Sequence, residues 1–174
     1  MEKNLRSKIF SSLIWKFLER GGTQGIQFIL QLFLARLLNP KDYGTIALIS
    51  VFIAISTVFV QSGFNTALIQ KKDIDEEDIS SVFYVSLFIA VIMYLFLWSF
   101  APIIANFYEI PKLISIVRVM GLILFLNTFN SIQNAIISRN MEFKRLFYSS
   151  LGAVIISGLL GIGLAYRGFG VWSL

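Results

Sequence analysis

In the stretch WKFLERGGTQGIQFILQLFLAR, residues 15–36, the side chains able to do chemistry are Lys16, Glu19, Arg20, Gln24, Gln27 and Gln31. The two cations attract an anion, the amides exchange hydrogen bonds with a polar ligand or water, and the carboxylate can hold a proton or a cation. On an α-helix at about 100° per residue, with Lys16 at zero, Arg20 falls at about 40°, Gln24 at about 80°, Gln27 at about 20° and Gln31 at about 60°. Ser12 and Thr23 fall at about −40° and −20°, so the whole set shares one face about 120° wide. Gly21, Gly22 and Gly25 lie roughly opposite, and Gly21-x-x-x-Gly25 suits contact with a neighbouring helix. Glu19 lies about 60° off the stripe, a candidate for an ion pair with Lys16 or for a coupling site.

A second polar set lies further along the chain. Asn127, Asn130, Ser131, Asn134 and Ser138 fall on one helical face within about 100°. Arg118 lies roughly opposite on a straight helix and reads as an interfacial or packing charge. Single amides can act as interhelical glue, worth around 0.6 kcal/mol each, but three on one face suggest a wetted surface. A charge facing hydrocarbon costs a few kcal/mol by insertion scales and normally turns toward a bundle interior or a water-filled cavity. Snorkelling to headgroups would serve Lys16 and Arg20 alone. It does not serve Gln27 and Gln31, which lie too deep, so a cavity wall is the better account of the whole stripe.

The elements that must carry these residues are set by composition. Apolar residues make up 56%, aromatics 15% and charged residues 14%, with mean hydropathy +0.75. A soluble domain carries roughly 25% charge, so a membrane protein is expected. A spanning helix needs about 20 mostly apolar residues, and runs of that length recur between charged boundaries. The expectation is an all-α, polytopic transmembrane helix bundle of about five helices plus the start of a sixth. Approximate bounds are 10–38, 43–70, 79–107, 112–138 and 145–166, with 168–174 opening the next.

Turn signals separate the spans: Asn39 with Pro40, the charged loop QKKDIDEED, Pro111, and SRNMEFKRL. Pro102 predicts a kink or an early stop in the third span. Ala153, Ser157, Gly161 and Ala165 read as a small-residue packing ridge. In the second span, Gln61, Ser62, Asn65 and Thr66 collect towards the cytoplasmic end.

The absence of Cys and His excludes disulfides and a Cys/His zinc site, and it removes the commonest thiol nucleophile and general base. No metal or cofactor is expected, and the composition points away from an enzyme. The net charge of +5 does not indicate nucleic acid, because its Lys and Arg residues are scattered around hydrophobic spans. Lys3, Arg6, Lys8, Lys16, Arg20, Lys71, Lys72, Arg139, Lys144 and Arg145 fall on one side, against Arg36, Lys41, Lys112 and Arg167 on the other. The positive-inside rule then places the N-terminus in the cytoplasm. IFSSLIW lacks a small-x-small cleavage site and does not read as a cleavable signal. The chain ends as a sixth helix opens in YRGFGVWSL, which reads as a fragment expected to behave marginally in detergent.

ARLLNPKDYGTIAL, SGFNTALIQKKDIDEEDIS, IANFYEIPKLISIVRVM, ISRNMEFKRL and YRGFGVWSL, in that order along the chain, resemble bacterial polysaccharide exporters of the oligosaccharide flippase family. They are most similar to the branch exporting colanic or teichuronic acid. That resemblance implies membership of the multidrug/oligosaccharidyl-lipid/polysaccharide superfamily, with twelve or more helices in two six-helix lobes around a central cavity. This chain would be most of an N-terminal lobe. The implied activity is transfer of undecaprenyl-pyrophosphate-linked oligosaccharide across the bacterial cytoplasmic membrane by alternating access. The implied partners are that lipid-linked oligosaccharide, membrane lipid and other polysaccharide assembly proteins. Lys16 and Arg20 would meet the pyrophosphate, and Gln24, Gln27, Gln31, Asn127, Asn130 and Asn134 the sugar hydroxyls. Glu109 stands where a small turn residue such as Gly is expected. Two other readings stay open: a cation-coupled multidrug exporter of the same superfamily, for which only Glu19 offers a membrane carboxylate, and a structural membrane subunit without transport.

Overall fold

The computed structural model describes residues 2–61, 75–140 and 143–174, those at 2–10, 12, 139 and 140 by backbone alone. Ser12, the loop lysines Lys71 and Lys72, and the cluster of Ser62, Asn65 and Thr66 therefore lie outside the described residues or side chains, as does the expected end of the second span at 62–70. The same holds for the side chains of Lys3, Arg6, Lys8 and Arg139.

The described chain is helical: α1 (Glu2–Leu37), α2 (Pro40–Gln61), α3 (Glu76–Phe107), α4 (Leu113–Met120), α5 (Ile123–Asn140), α6 (Phe143–Tyr166) and a 3₁₀ turn (Gly170–Ser173). Among the described residues, four stretches are long and apolar enough to cross a membrane: Pro40–Gln61, Glu76–Phe107, Leu113–Ser138 and Phe143–Tyr166. These make the chain a multi-pass, all-helical membrane bundle. α1 has the length, 36 residues, but its cations and glutamines dilute its apolar run and leave it outside that set.

Local chemistry explains the boundaries. No Pro or Gly interrupts residues 2–20, so α1 begins well before the expected residue 10. Pro40 opens α2, where a missing N–H costs nothing. Asp75 precedes α3, and its N–H donates to the Asp78 carboxylate at 3.3 Å. Glu76, Glu77 and Asp78 place negative charge at the helix's positive end. α3 runs through Pro102 to Phe107, so the early stop expected at that proline does not occur.

Two helices end in the same motif. After α3, the Ile110 N–H bonds the Ala105 carbonyl at 3.0 Å and the Glu109 N–H bonds the Asn106 carbonyl at 3.3 Å. After α6, the Phe169 N–H bonds the Leu164 carbonyl at 3.2 Å and the Gly168 N–H bonds the Ala165 carbonyl at 3.0 Å. This is the Schellman arrangement, whose turning residue adopts left-handed backbone and is usually glycine. Gly168 takes it at φ 79° and Glu109 at φ 56°. The small residue expected at 109 has this physical basis: a Cβ there crowds the following carbonyl.

The expected 112–138 span corresponds to one apolar stretch, Leu113–Ser138, within which the helix is broken. Past Val117 the hydrogen bonds shorten from four residues to three, Leu122 to Val119, Leu124 to Gly121 and Phe125 to Leu122. This tight turn separates α4 from α5. A Cβ at Gly121 would stand 2.9 Å from Tyr94 Cδ2, so only glycine lets the ring of α3 close on the turn without displacement.

The chain forms two compact units, Met1–Ile46 with Ile137–Leu174, and Ala47–Ile136. In the first unit α1 packs chiefly on α6. Trp15 meets Phe147 at one end, with ring centroids 5.6 Å apart, and Leu34 lies with Ala165 at the other. The two helices therefore run parallel. The second unit buries Ile49, Val60, Leu113, Val117, Leu124 and Thr128.

Candidate functional site

α1 presents two faces. Trp15, Glu19, Gly22, Ile26, Leu30 and Leu34 are among the less exposed positions, as are Lys16 and Thr23 at the edge of the stripe, and contacts from α6 reach Trp15, Gly22, Leu30 and Leu34. Arg20, Gln24, Gln27 and Gln31 are all exposed. On the helical wheel the mean directions of the two sets differ by about 120°. Packing against α6 thus leaves most of the polar stripe uncovered.

Two members of the stripe are otherwise engaged. Lys16 Nζ lies 3.3 Å from Glu19 Oε2 and 5.1 Å from the centre of the Phe143 ring on α6. The side chains are 38% and 14% exposed. The ammonium is out of line for a hydrogen bond, so Glu19 Oε2 has charge contact but no hydrogen-bond partner among the described residues. Lys16 therefore leans toward the packed face, at the edge of the stripe. Thr23 Oγ1 donates to the Glu19 carbonyl at 2.5 Å, which spends its hydroxyl on the helix backbone.

The glycines behave differently from their expected role. Gly22 meets Phe147 Cε2 at 3.5 Å for an added Cβ, whereas Gly21 and Gly25 have nothing within 4 Å. The close approach comes from α6 instead. A Cβ on Gly158 would fall 2.1 Å from Leu30 Cδ1, and one on Gly161 would fall 2.8 Å from the Ser173 carbonyl oxygen. Gly158, Gly161 and Ala165 form the buried ridge, while Ala153 and Ser157 are exposed. A strict four-residue repeat advances about 40° per step and winds off a contact face, whereas alternating steps of three and four stay on it.

In the second unit, Asn127 and Asn134 are half-buried and Asn130 is exposed. Asn134 Nδ2 donates to Asn130 Oδ1 at 3.1 Å, so these amides satisfy part of each other's capacity one turn apart. Leu124, Thr128, Ile132 and Ala135 supply the buried side of α5, with the Thr128 hydroxyl donating to the Leu124 carbonyl at 3.0 Å. The cation and glutamine set and the asparagine set thus sit on different units, each with exposed amides. Among the described residues no group of His, Cys, Asp and Glu is placed to hold a metal.

The aromatic companions of the cations were not legible beforehand. Lys144 lies over Trp15 at 5.6 Å, and the Arg118 guanidinium lies over Trp98 at 4.2 Å. Each pair joins separate helices with no short sequence spacing to announce it.

Residues 33–174, most of the chain, match the polysaccharide biosynthesis protein family. The chain belongs to that family. Among its relatives, the succinoglycan biosynthesis transport protein ExoT of Rhizobium meliloti (strain 1021) is 31% identical over 165 residues, covering 92% of this chain and 32% of that protein. The teichuronic acid biosynthesis protein TuaB of Bacillus subtilis (strain 168) is 26% identical over 113 residues, 62% of this chain and 23% of that protein. The lipopolysaccharide biosynthesis protein WzxC of Escherichia coli (strain K12) is 18% identical over 152 residues, 87% of this chain and 31% of that protein. The chain spans about a third of the length of the curated relatives it matches over most of its own length. No solved structure matches it.

Proposed function

We propose that this chain forms part of an exporter that moves undecaprenyl-pyrophosphate-linked oligosaccharide across the cytoplasmic membrane by alternating access, with its N-terminus in the cytoplasm. The observation that carries the reading is the exposed polar face of α1, Arg20 with Gln24, Gln27 and Gln31, on a helix of membrane-spanning length. Such a face is costly against lipid and useful against water and sugar. Arg20 is the cation of that face, suited to a pyrophosphate oxygen by its forked donors. The glutamines and the amides of Asn127, Asn130 and Asn134 suit sugar hydroxyls, which both donate and accept. The lipid-linked cargo and surrounding polysaccharide assembly proteins are the partners this reading requires.

Lys16 has the smaller part, because Glu19 and Phe143 already engage it. That same pairing supports a structural Glu19 and weighs against a cation-coupled drug exporter, which needs its carboxylate available. The test is surface polysaccharide made by cells carrying the full-length protein with Arg20→Gln, Lys16→Gln or both. Arg20→Gln should lower export by roughly tenfold at unchanged membrane insertion, the scale of one charge-assisted hydrogen bond. Lys16→Gln alone should lower it less. Unchanged polysaccharide from the double variant contradicts the anionic-cargo reading.

A further inference from the structure

Arg118 lies within the candidate span Leu113–Ser138, about 8 Å of helix rise beyond the start of α4. Its Cζ stands 4.2 Å from the centre of the Trp98 ring. This cation–π contact consumes none of the five guanidinium N–H donors. Among the described residues, the buried Nε has no hydrogen-bond partner and no carboxylate lies within salt-bridge distance. The site is also held in place. Tyr94 packs on Trp98 with centroids 5.8 Å apart, on Phe125 at 5.4 Å, and against Gly121 at the turn that ends α4. A cation with a buried donor, fixed on an aromatic platform and lacking an acidic neighbour, needs an anion from outside this set of residues. A lone water could satisfy Nε but would leave the charge uncompensated.

We propose that Arg118, on its Trp98 platform, is an anion-binding residue for a phosphate group. Phosphate oxygens match the fork of a guanidinium, and a membrane protein of this family meets phosphate esters in two places, bilayer headgroups and a pyrophosphate-linked cargo. The cargo source rests on the export reading above; the headgroup source does not.

Two assays on the full-length protein in neutral detergent separate the sources: calorimetric titration with inorganic pyrophosphate, and native mass spectrometry of co-purified phosphatidylglycerol. Arg118→Gln should weaken one of the two by about tenfold, with Arg118→Lys recovering part of the loss, because charge remains while the fork is gone. Weaker pyrophosphate binding assigns the cargo; loss of phosphatidylglycerol at unchanged pyrophosphate affinity assigns the headgroup. If Arg118→Gln does not reach the membrane, Trp98→Leu is read in the same assays, with a loss of about threefold expected from the missing platform. A folded Arg118→Gln, or Trp98→Leu in its place, that changes neither quantity overturns the proposal and makes Arg118 a packing group. That outcome beside a defective Arg20→Gln would leave the export reading standing.

Discussion

The tightest packing of the two units differs in kind, although each contains both rings and a close glycine. In the first, the closest approach between α1 and α6 is made by glycine: Leu30 fills the space over Gly158, and Leu34 lies near Gly161. In the second, α3 meets α4 and α5 through rings, Phe83 on Phe129 at 5.1 Å, Tyr94 on Phe125 at 5.4 Å and Trp98 under Arg118. Without a strong hydrophobic drive between helices in lipid, both solutions rely on van der Waals contact. Glycine brings the helices close along a narrow seam and leaves much of α1 uncovered, including the face that carries Arg20, Gln24, Gln27 and Gln31. Rings span a wider gap and enclose what lies among them, including Nε of Arg118.

The sharpest way to break the comparison is Gly158→Ala. Its Cβ would stand 2.1 Å from Leu30 Cδ1 and 2.9 Å from Cγ, so the whole leucine must move. A loss of about 1–3 kcal/mol is expected, read as a lower unfolding midpoint in detergent, and Leu30→Ala in the same chain should restore part of it. Gly121→Ala tests the ring-packed unit. Its clash is at 2.9 Å with the edge of Tyr94, and a ring can tilt, so about 1 kcal/mol is expected, at the low end of the overpacking range. Equal losses at the two glycines would erase the distinction. The smallest effect is a gain: Glu109→Gly relieves left-handed backbone at φ 56° and should stabilise by about 0.5–1 kcal/mol, after the entropy that glycine adds to the unfolded chain.

The spans were legible because apolar runs bounded by charge are a one-dimensional signal. The polar face of α1 was legible because its residues are close in sequence and share a helical period. Glu109 was legible as a misfit only through the family resemblance; the Schellman turn supplies its physical reason. What was missed lies across helices. Gly121 divides α4 from α5 where a ring from α3 packs, and nothing within 112–138 marks that. The ridge of Gly158, Gly161 and Ala165 was confused with a four-residue repeat because Ala153 and Ser157 are equally small. Lys16 shares Arg20's face by angle and its pair with Glu19 was legible at i,i+3, but the Phe143 ring that meets it from α6 was not. Arg118 reads from sequence as an interfacial or packing charge, but its partner Trp98 is on another helix and could not be named.

The central claim is that the polar face of α1 is wet while its apolar face is not. The chain has no cysteine, which allows the claim to be read one position at a time in a full-length background free of other cysteines. Gln24→Cys, Gln27→Cys and Gln31→Cys should react with a charged, water-soluble thiol reagent in intact membranes. Ile29→Cys and Leu32→Cys, also exposed but on the apolar side, should not. Labelling of both faces alike, or of neither, would contradict the account.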